Sequence, residues 1–136
     1  MSYAVSSPLQ AAVYQQLSGD AALAALVGTA IYDAIPSGSL PATYVALGPE
    51  TAFDKSDKSG AGAEHIFTVA VVTDSAGFQA AKDVAGAVSD ALVDADLTLT
   101  RGALIYLNFD RASATREGTG ATRRIDLRFR ARVQDD

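Results

Sequence analysis

From Arg124 to Val133 every odd-numbered residue is apolar and every even-numbered residue is charged. A two-residue period over ten positions is the mark of a strand with one face buried and one face in water. A strand of that kind needs a neighbour on each side and a cover on its apolar face. The stretch before it supplies one neighbour: Ile105, Leu107 and Phe109 alternate with Leu104, Tyr106, Asn108 and Asp110. The two runs predict one long β-hairpin over Ala103–Val133, turning at Gly118-Thr119-Gly120, a glycine-containing connection of the hairpin type. Counting outward from Phe109 places Arg111 on the apolar face. Either a bulge resets the alternation there, or the hairpin tip projects beyond the core.

What covers the hairpin has to come from upstream. Ser7-Pro8 predicts a helix start, with serine at the N-cap and proline at the first helical position, and Leu9, Ala12, Val13 and Leu17 mark its inner face. Asp20 predicts the cap of a second short helix, with Leu23, Leu26 and Val27 inward and Gly28 as its stop. Ile31-Tyr32 is a short extended piece, and residues 36–41 are a proline- and glycine-bearing loop. Thr43–Gly48 reads as a strand. Residues 50–62 turn polar, small and glycine-rich, which predicts a long flexible loop between two paired strands.

Glu64–Thr73 is apolar on both faces, with Phe67, Val69 and Val71 on one and Ile66, Ala70 and Val72 on the other, so a central strand with cover on both sides is expected. A helix capped at Ser75 and running to about Asp94 is expected next. It carries Phe78, Ala81, Ala85, Val88 and Leu92 inward and Lys82, Asp83, Gly86, Asp90 and Asp94 outward. The elements sum to a single α+β domain over 1–136: a largely antiparallel four-stranded sheet packed by helices, closed by the long C-terminal β-hairpin.

Charge is divided along the chain. Residues 1–100 hold eleven acids and three lysines, whereas residues 101–136 hold eight arginines and five acids, within a net charge of −5. The acidic balance argues against a protein that grips duplex DNA, which carries a basic footprint. It suits head-to-tail contact between copies, acidic patch against arginine patch. The strand arginines Arg124, Arg128, Arg130 and Arg132 are candidates for such a contact, because a planar guanidinium pairs with carboxylates in bidentate fashion. A solvated sheet face and nucleic-acid contact are the other readings of the same residues.

Catalytic chemistry finds little support. The absence of cysteine removes disulfides, thiol catalysis and thiolate metal sites. The sole histidine, His65, has no metal or nucleophile pattern near it in sequence and is expected to be structural or solvent-facing. Gly60-Ala61-Gly62 and Gly118-Thr119-Gly120 lack the spacing and following helix of phosphate loops. Glu50, Asp54 and Asp57 lack the alternation of a calcium loop. No cofactor and no metal are expected. The N-terminus has no signal-peptide pattern and no run reaches a membrane span, so assembly in a reducing cytoplasm without membrane contact is expected.

The run Asp20, Leu23, Leu26, Val27-Gly28, Ile31-Tyr32, Pro36, Pro41 and Tyr44-Val45 is followed by the strand Phe67–Val71 and the alanine-rich helix Phe78–Leu92. Over Pro8–Val133 this pattern resembles the tail completion or tail terminator family of long-tailed bacteriophages and gene transfer agents. The resemblance implies a structural virion protein at the tail neck, built in the host bacterial cytoplasm. It implies a ring of typically six copies that stops polymerisation of the tail tube and joins the tail to the head-side connector. Its partners would be itself, the tube protein and the connector or stopper, with DNA passing through the channel without specific binding. In such a ring the arginine strand would meet Asp83, Asp90 and Asp94 of a neighbour. Phe53, Asp54, Lys55, Asp57 and Lys58 of the 50–62 loop would dock on tube or connector. A nucleic-acid-binding or small-ligand-binding α+β module is the alternative.

Overall fold

The C-terminal alternation folds as expected into the longest hairpin of the molecule. The computed structural model describes residues 3–118 and 121–135. In chain order the elements are α1 (Ser6–Ser18), α2 (Ala21–Val27), β1 (Ile31–Tyr32), β2 (Thr43–Asp54), β3 (Gly62–Thr73), α3 (Gln79–Leu92), β4 (Ala103–Glu117) and β5 (Thr122–Gln134). The expected hairpin turn lies partly outside the described residues, at Thr119 and Gly120; Gly118, before it, has a φ of 55°.

The strands form one sheet in the order β1-β2-β3-β5-β4. It has five strands, not four, because Ile31-Tyr32 pairs with β2, and it is mixed, because that pairing is parallel. The other three pairings are antiparallel, with Val69 opposite Leu127 and Phe67 opposite Phe129 at the centre. Residues opposite one another share a face. Phe129 is fully buried, its ring stacked on Phe67 with centroids 5.6 Å apart and met edge-on by Phe109 at 6.1 Å.

Three irregularities decide which side chains reach which face. In β4 the register slips between Leu104 and Tyr106 and again between Phe109 and Arg111. The second slip is the bulge anticipated from the misplaced arginine: Asp110 is the extra residue, and beyond it Arg111 pairs with Arg128 on the outer face while Ala112 and Ala114 pair with Leu127 and Ile125 on the core face. The first slip was not anticipated, and it turns Ile105 out of the core, leaving it 52% exposed. In β2 a slip between Leu47 and Glu50 carries Glu50 onto the core face opposite Phe67.

All three helices lie against that face. Leu9, Val13 and Leu17 of α1, Leu23 of α2, and Ala81, Val84, Val88 and Leu92 of α3 form one cluster with Val45, Val69, Val71, Leu127 and Phe129. Ala46, Ala70 and Val72 stand outside it, on the outer face. The apolar outer side of β3 is therefore sheltered by cross-strand neighbours, among them Tyr44, Arg124 and Asp126, and not by a second layer of elements.

Capping follows the expectation once and departs from it twice. The Asp20 carboxylate accepts from the Leu23 N–H at 2.9 Å, and Gly28, with a φ of 61°, ends α2. Leu26 on that helix nevertheless points outward, 48% exposed, because a seven-residue helix presents only one face to the core. Helix α1 starts at Ser6, ahead of the predicted cap Ser7, and has no side-chain cap because its N-cap residue is Val5, whose side chain cannot accept a hydrogen bond. Helix α3 starts at Gln79, later than Ser75 predicted, because Gly77 takes a φ of 78° and breaks the helical path between them. The expected loop over 50–62 is shorter: residues 50–54 continue β2 and Gly62 already belongs to β3. Among the described residues no helix is long and apolar enough to cross a membrane.

Candidate assembly surfaces

The bulge at Asp110 organises the outer face. Its carboxylate accepts from Arg128 Nε and, at 3.2 Å, from Arg130 Nη2. Glu64 lies 3.7 Å from Arg130 and accepts from the Tyr106 hydroxyl at 3.0 Å. Arg124 is paired with Asp126 at 2.8 Å and lies 3.7 Å from Glu117. Arg132 donates to the Lys55 carbonyl at 2.8 Å. Arg124, Arg128 and Arg130, predicted to await a partner's acids, thus each have a carboxylate of their own chain. Partly exposed pairs of this kind contribute ~0–1 kcal/mol each to stability. Their larger effect is on charge, because Arg111, Arg124, Arg128, Arg130 and Arg132 share that face with Glu64, Asp110, Glu117 and Asp126. One positive charge is left over. Asp110 and Glu64 were not singled out in the sequence, and the signal that would have found Asp110 is the alternation misfit at Arg111.

Asp83 and Asp90 project from the exposed side of α3, and Asp94 follows its end with a φ of 58°. They lie on the helix side of the sheet, with the arginine layer on the other side. The structure does not bring the two sets together within one chain.

Phe53, next to last in β2, lies on the outer face opposite Glu64 and is 47% exposed. The tip after it is laced by its own polar groups. Asp54 accepts from the Ser56 N–H and hydroxyl, Asp57 accepts from Ser59 and Gly60, and Lys55 N–H donates to Gly62. Those bonds hold both carboxyls below the usual carboxylate range, with the Ser56 hydroxyl foremost for Asp54 and the Ser59 N–H for Asp57. The ammonium groups of Lys55 and Lys58 face water without an acid partner among the described residues.

The second unforeseen feature is buried. His65, expected to be structural or solvent-facing, is fully enclosed, with Nδ1 3.2 Å from Glu50 Oε2. The same carboxylate accepts from the Tyr3 hydroxyl at 2.6 Å and from the Ser6 hydroxyl at 2.9 Å. Serine, histidine and glutamate meet here without forming a catalytic relay: the hydroxyl donates to the carboxylate and not to the imidazole, so no base activates it. What the cluster does is tie the start of α1 to β2 and β3. No group of three or more metal-ligating side chains occurs among the described residues.

The sheet margins are open. β4 is an edge strand of fifteen residues, and its distal half, 111–117, is exposed throughout. Helix α3 covers β5 but stops short of β4, leaving a groove of about 290 Å³ between Lys82, Gly86 and Ser89 on one side and Phe109, Ala112 and Ala114 on the other. Its floor is Ile125 and Leu127.

Three comparisons bear on these surfaces. A family model described as "Tail completion protein gp17" matches residues 11–134. A chain of the solved structure "Virion of native gene transfer agent (GTA) particle" is 64% identical, covers 98% of this chain and 99% of its own length, and superposes with a TM-score of 0.94. Among curated proteins none matches.

Proposed function

This chain belongs to the tail completion protein gp17 family, whose members are structural virion proteins and not enzymes, and from that premise we propose that it forms a hexameric ring at the head-proximal end of a phage-type tail. There it ends polymerisation of the tail tube and joins the tail to the head-side connector. The observation that carries the reading is the likeness over nearly full length to a chain of a gene transfer agent particle. The molecule's physical make-up supports it. A closed ring needs unlike patches on two sides of each copy, and this chain has an arginine-bearing hairpin at one end of its sequence and an acidic, cation-poor remainder.

The arginine layer and Asp83, Asp90 and Asp94 lie on opposite sides of the sheet, as a heterologous contact requires. With one net charge left after internal pairing, the layer adds a minor ionic component to that contact. The same neutralisation disfavours a grip on DNA, which needs several uncommitted cations. The tip from Phe53 to Lys58 is the proposed contact with tube or connector protein.

The test is assembly of particles with the protein absent and with Lys55–Gly60 deleted. Absence should give tails of uncontrolled length that remain unattached to heads. The deletion removes an exposed tip, so the protein should stay folded and attachment should be lost. Tails of normal length joined to heads without the protein would contradict the function. Normal joining with the deletion would remove the tip from it.

A further inference from the structure

The two edges of the sheet differ in a way that assigns them to one another. At one edge, the groove beside β4 exposes Phe109, 45% accessible, with Ala112 and Ala114 in line with it. Gly86 keeps its helix wall low, since a Cβ there would meet nothing within 4 Å. Lys82 lines the groove and Arg116 follows Ala114 on the same side of β4, and neither has an acid partner among the described residues. Arg116 belongs to this side because it pairs with Arg123, which reaches the Ser75 carbonyl and lies over the Phe78 ring at the head of α3.

At the opposite edge, the arm 33–42 leaves β1 and returns to β2 with all ten residues exposed. It carries two large apolar side chains, Ile35 and Leu40, 51% and 39% accessible. Prolines at 36 and 41 restrict its backbone, which lowers the entropy lost on docking. No lysine, arginine or histidine occurs anywhere in residues 1–54, whereas Asp33 stands at the arm's base.

We propose that residues 34–41 of one copy seat in the groove between α3 and β4 of the next. Ile35 and Leu40 cover Phe109, Ala112 and Ala114, and Asp33 lies toward Lys82 and Arg116. The contact is heterologous and joins opposite edges, and its repetition closes a ring when the rotation between copies divides a full turn. This assignment rests on the ring reading and specifies the segment and the seat that make it.

Since the chain has no cysteine, engineered pairs supply the only thiols of this protein. Particles are assembled with Leu40→Cys plus Ala112→Cys, oxidised, and separated on a non-reducing denaturing gel. The control is Leu40→Cys plus Ser113→Cys, because Ser113 is adjacent but on the outer face, opposite Asp126. The expected result is loss of the monomer band into a ladder of covalent multimers for the first pair and retention of monomer for the control. Ile35→Cys plus Ala114→Cys serves as a second pair should the first fail to incorporate. Monomer from both groove pairs in particles that hold several copies overturns the seat and leaves the ring standing. One copy per particle overturns both. Equal cross-linking of the control, or a covalent adduct with a different tail protein, also overturns the seat.

Discussion

Val88→Asp should yield no folded protein. Val88 is fully buried at the centre of α3, in the cluster shared with Leu9, Leu127 and Phe129. An isolated carboxylate there loses its hydration and meets no cation. The penalty of several kcal/mol adds to lost packing and stands against a total stability of ~5–15 kcal/mol. Expression in the insoluble fraction, or a far-ultraviolet signal without a cooperative melt, is the expected observation. Val88→Ala separates charge from volume, and should cost about 2 kcal/mol and leave a folded chain. A soluble Val88→Asp protein melting like the parent would mean that α3 does not close the core at this residue.

The next largest effect is expected from Glu50→Ala. One carboxylate accepts from Tyr3 and Ser6 and lies against buried His65. Its loss removes the acceptor of both hydroxyls and the carboxylate 3.2 Å from a buried imidazole whose nitrogens have no hydrogen-bond partner among the described residues, and it releases the start of α1. Losing the shared acceptor of two hydroxyls beside a buried imidazole costs about 3 kcal/mol, a fall in Tm of roughly 10 °C for a chain of this size. Tyr3→Phe removes one hydrogen bond at an exposed residue and should cost about 1 kcal/mol. Faster amide exchange confined to the first turns of α1 would show that the lost stability is that of the N-terminal attachment. Equal melting of Glu50→Ala and Tyr3→Phe would show that His65 does not depend on Glu50.

The same residue marks the boundary of what was legible beforehand. Periodicity located α1, α3, β3 and β5, since each presents a regular apolar face to a single core. It failed wherever the register slips. Alternation counted through Gly48-Pro49 puts Glu50 outside, and only the bulge puts it beside His65. Alternation counted through Leu104 puts Ile105 inside, and the slip turns it out. A single extra residue inverts every later side chain, and its position is set by strand pairing, which no local pattern records. The slip at Asp110 was foreseeable because it left a visible misfit, a charged residue in an apolar row. The acids that answer the arginine layer were hidden for a related reason: Asp110 and Glu64 are far apart in sequence from one another and meet only through the β3-β5-β4 pairing.

Gly102 adds a constraint of the same non-local kind. With a φ of 74°, it passes so close to the Gln134 carbonyl that a Cβ would lie 2.5 Å from it, and 3.2 Å from Val5. The start of β4 is thereby held to the end of β5 and to the head of α1. Together with the Arg101–Asp135 pair at 2.8 Å, this contact fixes the base of the hairpin and leaves its distal half as the free edge.

The account depends on self-association through unlike surfaces. The most direct test is the mass of the purified protein, alone and bound to the ends of isolated tail tubes, followed by imaging down the tube axis. A closed six-fold annulus, with a mass at the tube end of roughly six times the 14.0 kDa chain, is the predicted result. A protein that stays a single copy at the tube end, or that caps the tube as a solid plug without a central opening, would contradict it.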